Sequence, residues 1–145
     1  MNKLKGIDIE KLDKALENDK NESIIHLSLD KIMEMNIHII NELGLPKRDA
    51  LTLCKKLNEF MFIDEISDIR EGAYIKWINI PEDEHSEIKL KEGAFICNYE
   101  IGEKGVYLRC KNFRHRFFSL YLEDNLIFQK LSNQELIILA AMKYI

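Results

Sequence analysis

In the first 62 residues, apolar side chains recur at spacings of three and four, which an α-helix brings onto one face. Three such segments follow Asp8, Ser28 and Pro46. Asp and Ser are favoured N-cap residues, and proline suits the first turn of a helix. We therefore expect three helices, with the polar residues 19–23 as a loop between the first two. The second and third would form an antiparallel hairpin, and the third would reach Met61.

From residue 70 the pattern changes to short runs rich in Ile and aromatic residues, separated by turn residues. Within Val106–Lys111, apolar residues alternate with Tyr, Arg and Lys, which is typical of a strand with one buried face. Runs of this kind predict five strands, over residues 72–80, 94–101, 106–111, 116–122 and 126–130. Gly-Glu-Lys-Gly between the second and third runs favours a hairpin turn.

The last segment combines two start signals of a helix. Ser132 and Glu135 have the spacing of a capping box, in which each side chain accepts a hydrogen bond from the backbone of the other. Leu131 and Leu136 are placed to form a hydrophobic staple. We expect a C-terminal helix that packs on the rest of the fold.

Together these patterns predict an α+β fold. An N-terminal helical hairpin or small bundle over residues 1–62 precedes a five-stranded antiparallel, barrel-like sheet. The sheet and the C-terminal helix that closes it would occupy residues 70–145. The helical region and the sheet region would form one compact unit.

The strand count, the strand spacing and the short turn at residues 123–125 resemble SH3-like and Tudor-like small β-barrel modules over residues 70–131. The resemblance implies a small curved sheet. Because no family motif accompanies it, it assigns no functional residue. Gly72–Trp77 and Asn125–Leu131 also resemble segments of proteins from large DNA viruses, which would imply an origin and no activity.

The chain of 145 residues carries a net charge of −4, which argues against a protein that coats nucleic acid indiscriminately. The charge is uneven, because residues 61–93 carry four basic and nine acidic residues, whereas residues 94–120 carry five basic and two acidic residues. No apolar run approaches the length of about 20 residues that crosses a bilayer, so we expect no membrane association. Three cysteines, an odd number, favour free thiols and an intracellular location in cytoplasm or nucleus.

The basic segment concentrates the candidate chemistry. Arginine matches phosphate oxygens, and exposed aromatic rings stack on unpaired bases. We therefore expect a non-catalytic module that binds RNA or single-stranded DNA through Tyr107, Arg109, Lys111, Phe113, Arg114, His115 and Arg116. In the alternative interpretation, Phe117 or Phe118 belongs to the core, and the cations form a solvated face or pair with the acidic loop over residues 82–87.

A second hypothesis is a protein-interaction or assembly module. Tyr74, Trp77 and Tyr99 would form an aromatic cage, although the single tryptophan of a small barrel is also typical of a core. The Met- and Ile-rich helical face would alternatively contact a protein partner or a second copy of the chain, unless other helices cover it.

The sequence contains no signature of catalysis, metal binding or cofactor binding. The cysteines and histidines lack the spacings of metal ligands, and no glycine pattern matches a phosphate-binding loop. We therefore expect no enzyme activity, no metal and no cofactor.

Overall fold

The structure, a computed structural model, describes residues 8–24 and 27–143, with the side chains of residues 22 and 23 left out. It has the predicted α+β class and divides into two compact units. One unit comprises the chain up to Cys54 together with the segment that begins at Leu131, and the other comprises Lys55–Lys130. No helix in the described part of the chain is both long and apolar enough to cross a membrane.

The helices begin at the predicted caps. Asp8 Oδ1 accepts a hydrogen bond from Lys11 N at 3.2 Å, and Ser28 Oγ accepts one from Lys31 N at 3.1 Å. The α-helices are α1 (Ile9–Glu17), α2 (Leu29–Asn41), α3 (Lys47–Lys56) and α4 (Asn133–Met142). Residues 19–23, predicted as a loop, belong to a 3₁₀ helix over Asp19–Ile24.

In the unit that contains the helices, α1 and α4 pack extensively against each other. Helices α2 and α3, which are predicted to form a hairpin, do not pack extensively on one another. Gln134 Oε1 accepts hydrogen bonds from Asn18 Nδ2 at 2.8 Å and from Asn21 Nδ2 at 3.1 Å. The C-terminal helix therefore belongs to the same unit as the N-terminal helices. The boundary between the two units follows Cys54, whereas the sequence predicts it between residues 62 and 70.

The third helix ends earlier than predicted. Glu59 has a left-handed φ of 64°, which redirects the chain. Phe60–Phe62 then forms strand β1, which pairs with the last strand of the sheet. The apolar pattern of this segment fits a helix and a strand equally. The strand forms because it pairs with Phe128–Lys130, which lie far away in the chain, where the local pattern cannot indicate them.

The sheet has six antiparallel strands rather than five. Its remaining strands are β2 (Tyr74–Asn79), β3 (Leu90–Gly102), β4 (Gly105–Asn112), β5 (Phe117–Tyr121) and β6 (Asn125–Lys130). Their spatial order is β1-β6-β2-β3-β4-β5, so β1 and β5 are edges and the predicted barrel is not closed.

The open sheet nevertheless curls around its own core. The Trp77 ring on β2 lies 5.5 Å from the Phe118 ring on β5, although β3 and β4 separate these two strands. The concave, inner face buries one apolar cluster: Ile63, Ala73, Ile75, Trp77, Ala94, Ile96, Leu108, Cys110, Leu120 and Ile127. The predicted alternation in β4 is confirmed, because Leu108 and Cys110 are buried while Arg109 between them is exposed.

Candidate nucleic-acid interface

A row of side chains crosses four neighbouring strands on the outer face of the sheet. Tyr74 on β2 lies opposite Phe95 on β3, and Phe95 lies opposite Lys111 on β4. Lys111 in turn lies opposite Phe117 on β5. Directly opposed residues share a face of an antiparallel sheet, so the register alone aligns three aromatic rings and one cation.

The hairpin between β4 and β5 adds a fourth ring and further cations. Asn112 organises its turn, because Asn112 Oδ1 accepts hydrogen bonds from Arg114 N at 2.9 Å and from Arg116 N at 3.0 Å. His115 has a left-handed φ of 63°. A three-residue loop that ends in a left-handed residue is a common hairpin connection, and here it consists of Phe113, Arg114 and His115.

Phe113 folds back from this loop onto the sheet. Its ring centroid lies 5.5 Å from that of Phe95, edge to face, and 6.2 Å from that of Tyr74. The ring covers Gly93, the extra residue of a β-bulge in β3, whose φ of 98° requires glycine. Even so, 66% of Phe113 is exposed.

Phe117 is flanked by two cations. Arg109 Cζ and Lys111 Nζ each lie 5.7 Å from the centre of its ring, within the range of cation–π attraction. Phe117 remains 58% exposed. We call the surface formed by Phe95, Arg109, Lys111, Phe113 and Phe117, together with the adjoining turn residues Arg114, His115 and Arg116, the aromatic–basic patch.

Most of the charge of this patch is not neutralised within the chain. Among the residues that the structure describes, no carboxylate lies within 4 Å of Lys111, Arg114 or Arg116. Arg109 forms a long ion pair, at 4.0 Å, with Glu100. The three remaining cations are therefore free to attract an external anion.

Of the seven predicted nucleic-acid-binding residues, Arg109, Lys111 and Phe113 contact the rings of this patch. Arg114, His115 and Arg116 follow in the adjoining turn, and Tyr107 lies outside the patch. Tyr107 lies on the same face near the start of β4, where its ring packs against that of Tyr121 in a tilted contact with centroids 5.0 Å apart. Its hydroxyl donates a hydrogen bond to Glu100, which raises the pKa of Tyr107 above the usual value for tyrosine. Tyr107 is therefore engaged within the chain and does not offer a free ring.

The three rings of the predicted aromatic cage do not come together. Trp77 is only 9% exposed and lies in the inner core, which corresponds to the alternative left open from the sequence. Tyr74 lies three residues before Trp77, so the alternation of a strand places it on the outer face. Tyr99 lies on β3 opposite Leu108, beyond the bulge at Cys97. A cage formed by Tyr74, Trp77 and Tyr99 is therefore wrong.

Sequence reasoning missed Phe95 and did not decide between Phe117 and Phe118. Phe95 lies between the buried residues Ala94 and Ile96, so its place on the solvent face of β3 was a detectable signal. Its alignment with Lys111 and Phe117 had no such signal, because register depends on bulges that the sequence pattern does not reveal.

Among the described residues, no three His, Cys, Asp or Glu side chains are grouped closely enough to hold a metal ion. The chain matches no protein-family model, no curated protein and no solved structure. The chemistry of the patch is therefore the basis for assigning a function.

Proposed function

We propose that this chain binds RNA or single-stranded DNA through the aromatic–basic patch. The observation that carries the proposal is the pairing of exposed rings with a free cation on one sheet face. Phe113 and Phe117 are each more than half exposed, and Lys111, two residues before Phe113 in the chain, lies beside Phe117 in space.

Exposed rings favour an unpaired strand as the ligand. Aromatic side chains stack on bases that are splayed out, which a duplex does not provide. Phe113 is the first residue of the β4–β5 loop and packs on Phe95, and Phe117 begins β5, so the patch offers two exposed rings held by the sheet. Fixed rings lose little conformational entropy when a base stacks on them.

The cations favour the phosphate backbone over a neutral ligand. Lys111, Arg114 and Arg116 lack carboxylate neighbours in the described part of the chain, whereas Lys76 and Lys130 on the same sheet pair with Glu92 at 3.7 Å and Glu59 at 2.7 Å. Guanidinium groups bind phosphate oxygens in bidentate fashion, and their contribution does not depend on base identity. The proposal therefore predicts salt-sensitive binding with weak sequence preference.

Fluorescence anisotropy with labelled RNA and DNA strands of about 12 nucleotides tests the proposal. Three phosphate contacts at about −0.7 each give a log–log salt slope near −2. The double variant Arg114→Ala/Arg116→Ala should reduce that slope to about −0.7. Phe113→Ala and Phe117→Ala should each weaken binding by about 1–3 kcal/mol and leave the slope unchanged, because stacking releases no counterions.

Two variants at the opposite end of β4 serve as matched controls. Lys104→Ala removes an exposed cation from the β3–β4 turn, and Ile101→Ala removes an apolar side chain that is 74% exposed. Neither should change affinity by more than about twofold. A wild-type chain that binds neither strand at about 50 mM salt contradicts the proposal, as does an equal loss of affinity in the controls.

A second candidate function is protein interaction through the helical face. Its supporting observation is that α2 leaves Leu29, Met35 and Ile37 partly exposed, with Ile37 at 44%. Ile37→Glu should abolish partner binding through this face, whereas the neighbouring change His38→Glu should not. Ile40 is unsuitable for this test because its side chain is fully buried.

A further inference from the structure

Strand β5 is an edge of the sheet without the usual protection. Natural edge strands carry lysine, proline or bulges that prevent a further strand from pairing with them. Phe117–Tyr121 contains neither a charged residue nor proline, and its register with β4 is regular. The central residue, Ser119, is exposed.

Two hydrogen bonds show which pairs of the β4–β5 ladder are hydrogen-bonded. Asn112 N donates to Arg116 O at 3.0 Å at one end, and Leu122 N donates to Val106 O at 3.0 Å at the other. Hydrogen-bonded and non-hydrogen-bonded pairs alternate along an antiparallel ladder. Both hydrogen bonds therefore indicate the same alternation of hydrogen-bonded and non-hydrogen-bonded pairs along β5.

In this pattern Phe118 and Leu120 direct their backbone N–H and C=O groups towards β4. Phe117, Ser119 and Tyr121 direct theirs away from the sheet. Within the described residues, no other element hydrogen-bonds to the backbone of Phe117 or Ser119. The Tyr121 carbonyl already accepts hydrogen bonds from Asp124 N at 3.2 Å and Asn125 Nδ2 at 3.0 Å. The edge thus presents to an added strand the donors and acceptors of Phe117 and Ser119, with Ser119 at the centre.

The sequence of β5 is chemically symmetric about Ser119. It reads Phe-Phe-Ser-Leu-Tyr, with an aromatic residue at each end, an apolar residue next to it and one small residue in the centre. If a second copy paired antiparallel about a two-fold axis at Ser119, Phe117 would face Tyr121 of that copy and Phe118 would face its Leu120. The two residues of each pair are similar in chemistry and lie on the same face of the sheet. No charges oppose each other within β5, and on the axis the small Ser119 side chain faces that of the second copy.

We propose that β5 is a self-association edge, at which two copies of this chain pair antiparallel around Ser119 into one continuous sheet. This inference goes beyond nucleic-acid binding and does not require it. The chemical symmetry of the strand selects a second copy over an unrelated peptide.

Light scattering over a concentration series tests the proposal with three variants. Ser119→Glu places two carboxylates on the two-fold axis, while within one copy Glu faces the cation Arg109. Ser119→Pro removes only the outward N–H and leaves the β4 ladder intact. Both should weaken self-association by about tenfold or more, and Ser119→Thr should retain it. Circular dichroism checks that each variant is folded.

Amide hydrogen exchange gives an independent readout. The outward amide of residue 119 should exchange slowly in the wild-type dimer and rapidly in Ser119→Glu, whereas the inward amides of Phe118 and Leu120 should stay protected in both. A wild-type chain that is monomeric at about 100 µM overturns the proposal. So does a dimer that tolerates both Ser119→Glu and Ser119→Pro, or one that Ile37→Glu dissociates.

Discussion

His115 holds a backbone conformation that few side chains adopt, with a φ of 63° at the tip of the β4–β5 hairpin. A left-handed conformation costs an L-residue about 1–2 kcal/mol, most for β-branched residues, whereas glycine adopts it freely. We therefore expect His115→Gly to unfold at higher urea concentration than His115→Val, with a difference of about 1–2 kcal/mol in the free energy of unfolding. Equal stabilities would show that the turn does not require this conformation.

Cys110 illustrates how burial changes the pKa of a single thiol. Burial, with a smaller contribution from Cys97, raises the pKa of the Cys110 thiol to about 12. Only the thiolate is nucleophilic. We expect Cys110 to resist a thiol reagent at about pH 8 in the native chain, and all three cysteines to react in denaturant. Rapid modification of native Cys110 would contradict its place in the core.

The same shift has a consequence for stability. The folded pKa lies above the ordinary value of 9.0, so between about pH 9 and pH 12 the thiol of the unfolded chain ionises while that of the native chain stays protonated. The unfolded state then binds fewer protons, and the free energy of unfolding falls as the pH rises through this window. Cys110→Ala should remove this part of the pH dependence.

At the scale of elements, α4 is specified by its first turn. Ser132 Oγ accepts a hydrogen bond from Glu135 N at 3.1 Å, and Glu135 Oε1 accepts one from Ser132 N at 2.9 Å, which confirms the predicted capping box. We expect Ser132→Ala to lower the free energy of unfolding by about 1 kcal/mol in urea titrations, and Ser132→Asp to retain most of the stability. Equal losses in both variants would mean that the cap is not the cause.

The other elements differ in how far local sequence determined them. The caps Asp8 and Ser28 and the β3–β4 hairpin follow from local chemistry, and each was predicted. Phe60 and Met61 fall at the end of the predicted third helix because their apolar side chains fit either structure. Such a short strand is stable only through a partner, and β6 provides that partner from the other end of the unit.

At the scale of the whole molecule, Gln129 connects distant segments of the sheet unit. Its buried side chain accepts a hydrogen bond from Arg70 N at 3.0 Å and donates one to the carbonyl of Asp68. Gln129→Leu keeps the volume and removes both bonds, each worth about 1–3 kcal/mol when a buried partner is left behind. We expect a loss of about 2 kcal/mol or more in the free energy of unfolding. A change below about 0.5 kcal/mol would contradict this role.

The candidate site was foreseen in part. The concentration of Arg, Lys and Phe in residues 109–116 is visible in the sequence. Arg109, Lys111 and Phe113 lie on one surface, and the other predicted cations follow in the adjoining turn. Phe95 and Phe117 join them only through the register of β3, β4 and β5. The predicted cage places Tyr74 and Trp77 together. It does not form, because a spacing of three residues puts these two side chains on opposite faces of β2.

Periodicity and capping were enough to predict the α+β class, the helix starts and the inward and outward positions of β4, because both depend on residues within one or two turns of each other. The tertiary structure alone decided that the sheet stays open, that β1 exists, that α4 packs with α1, and which rings align on the outer face. Each of these depends on pairing between segments far apart in the chain, where bulges at Gly93 and Cys97 shift the register and a one-residue shift changes the face of every side chain.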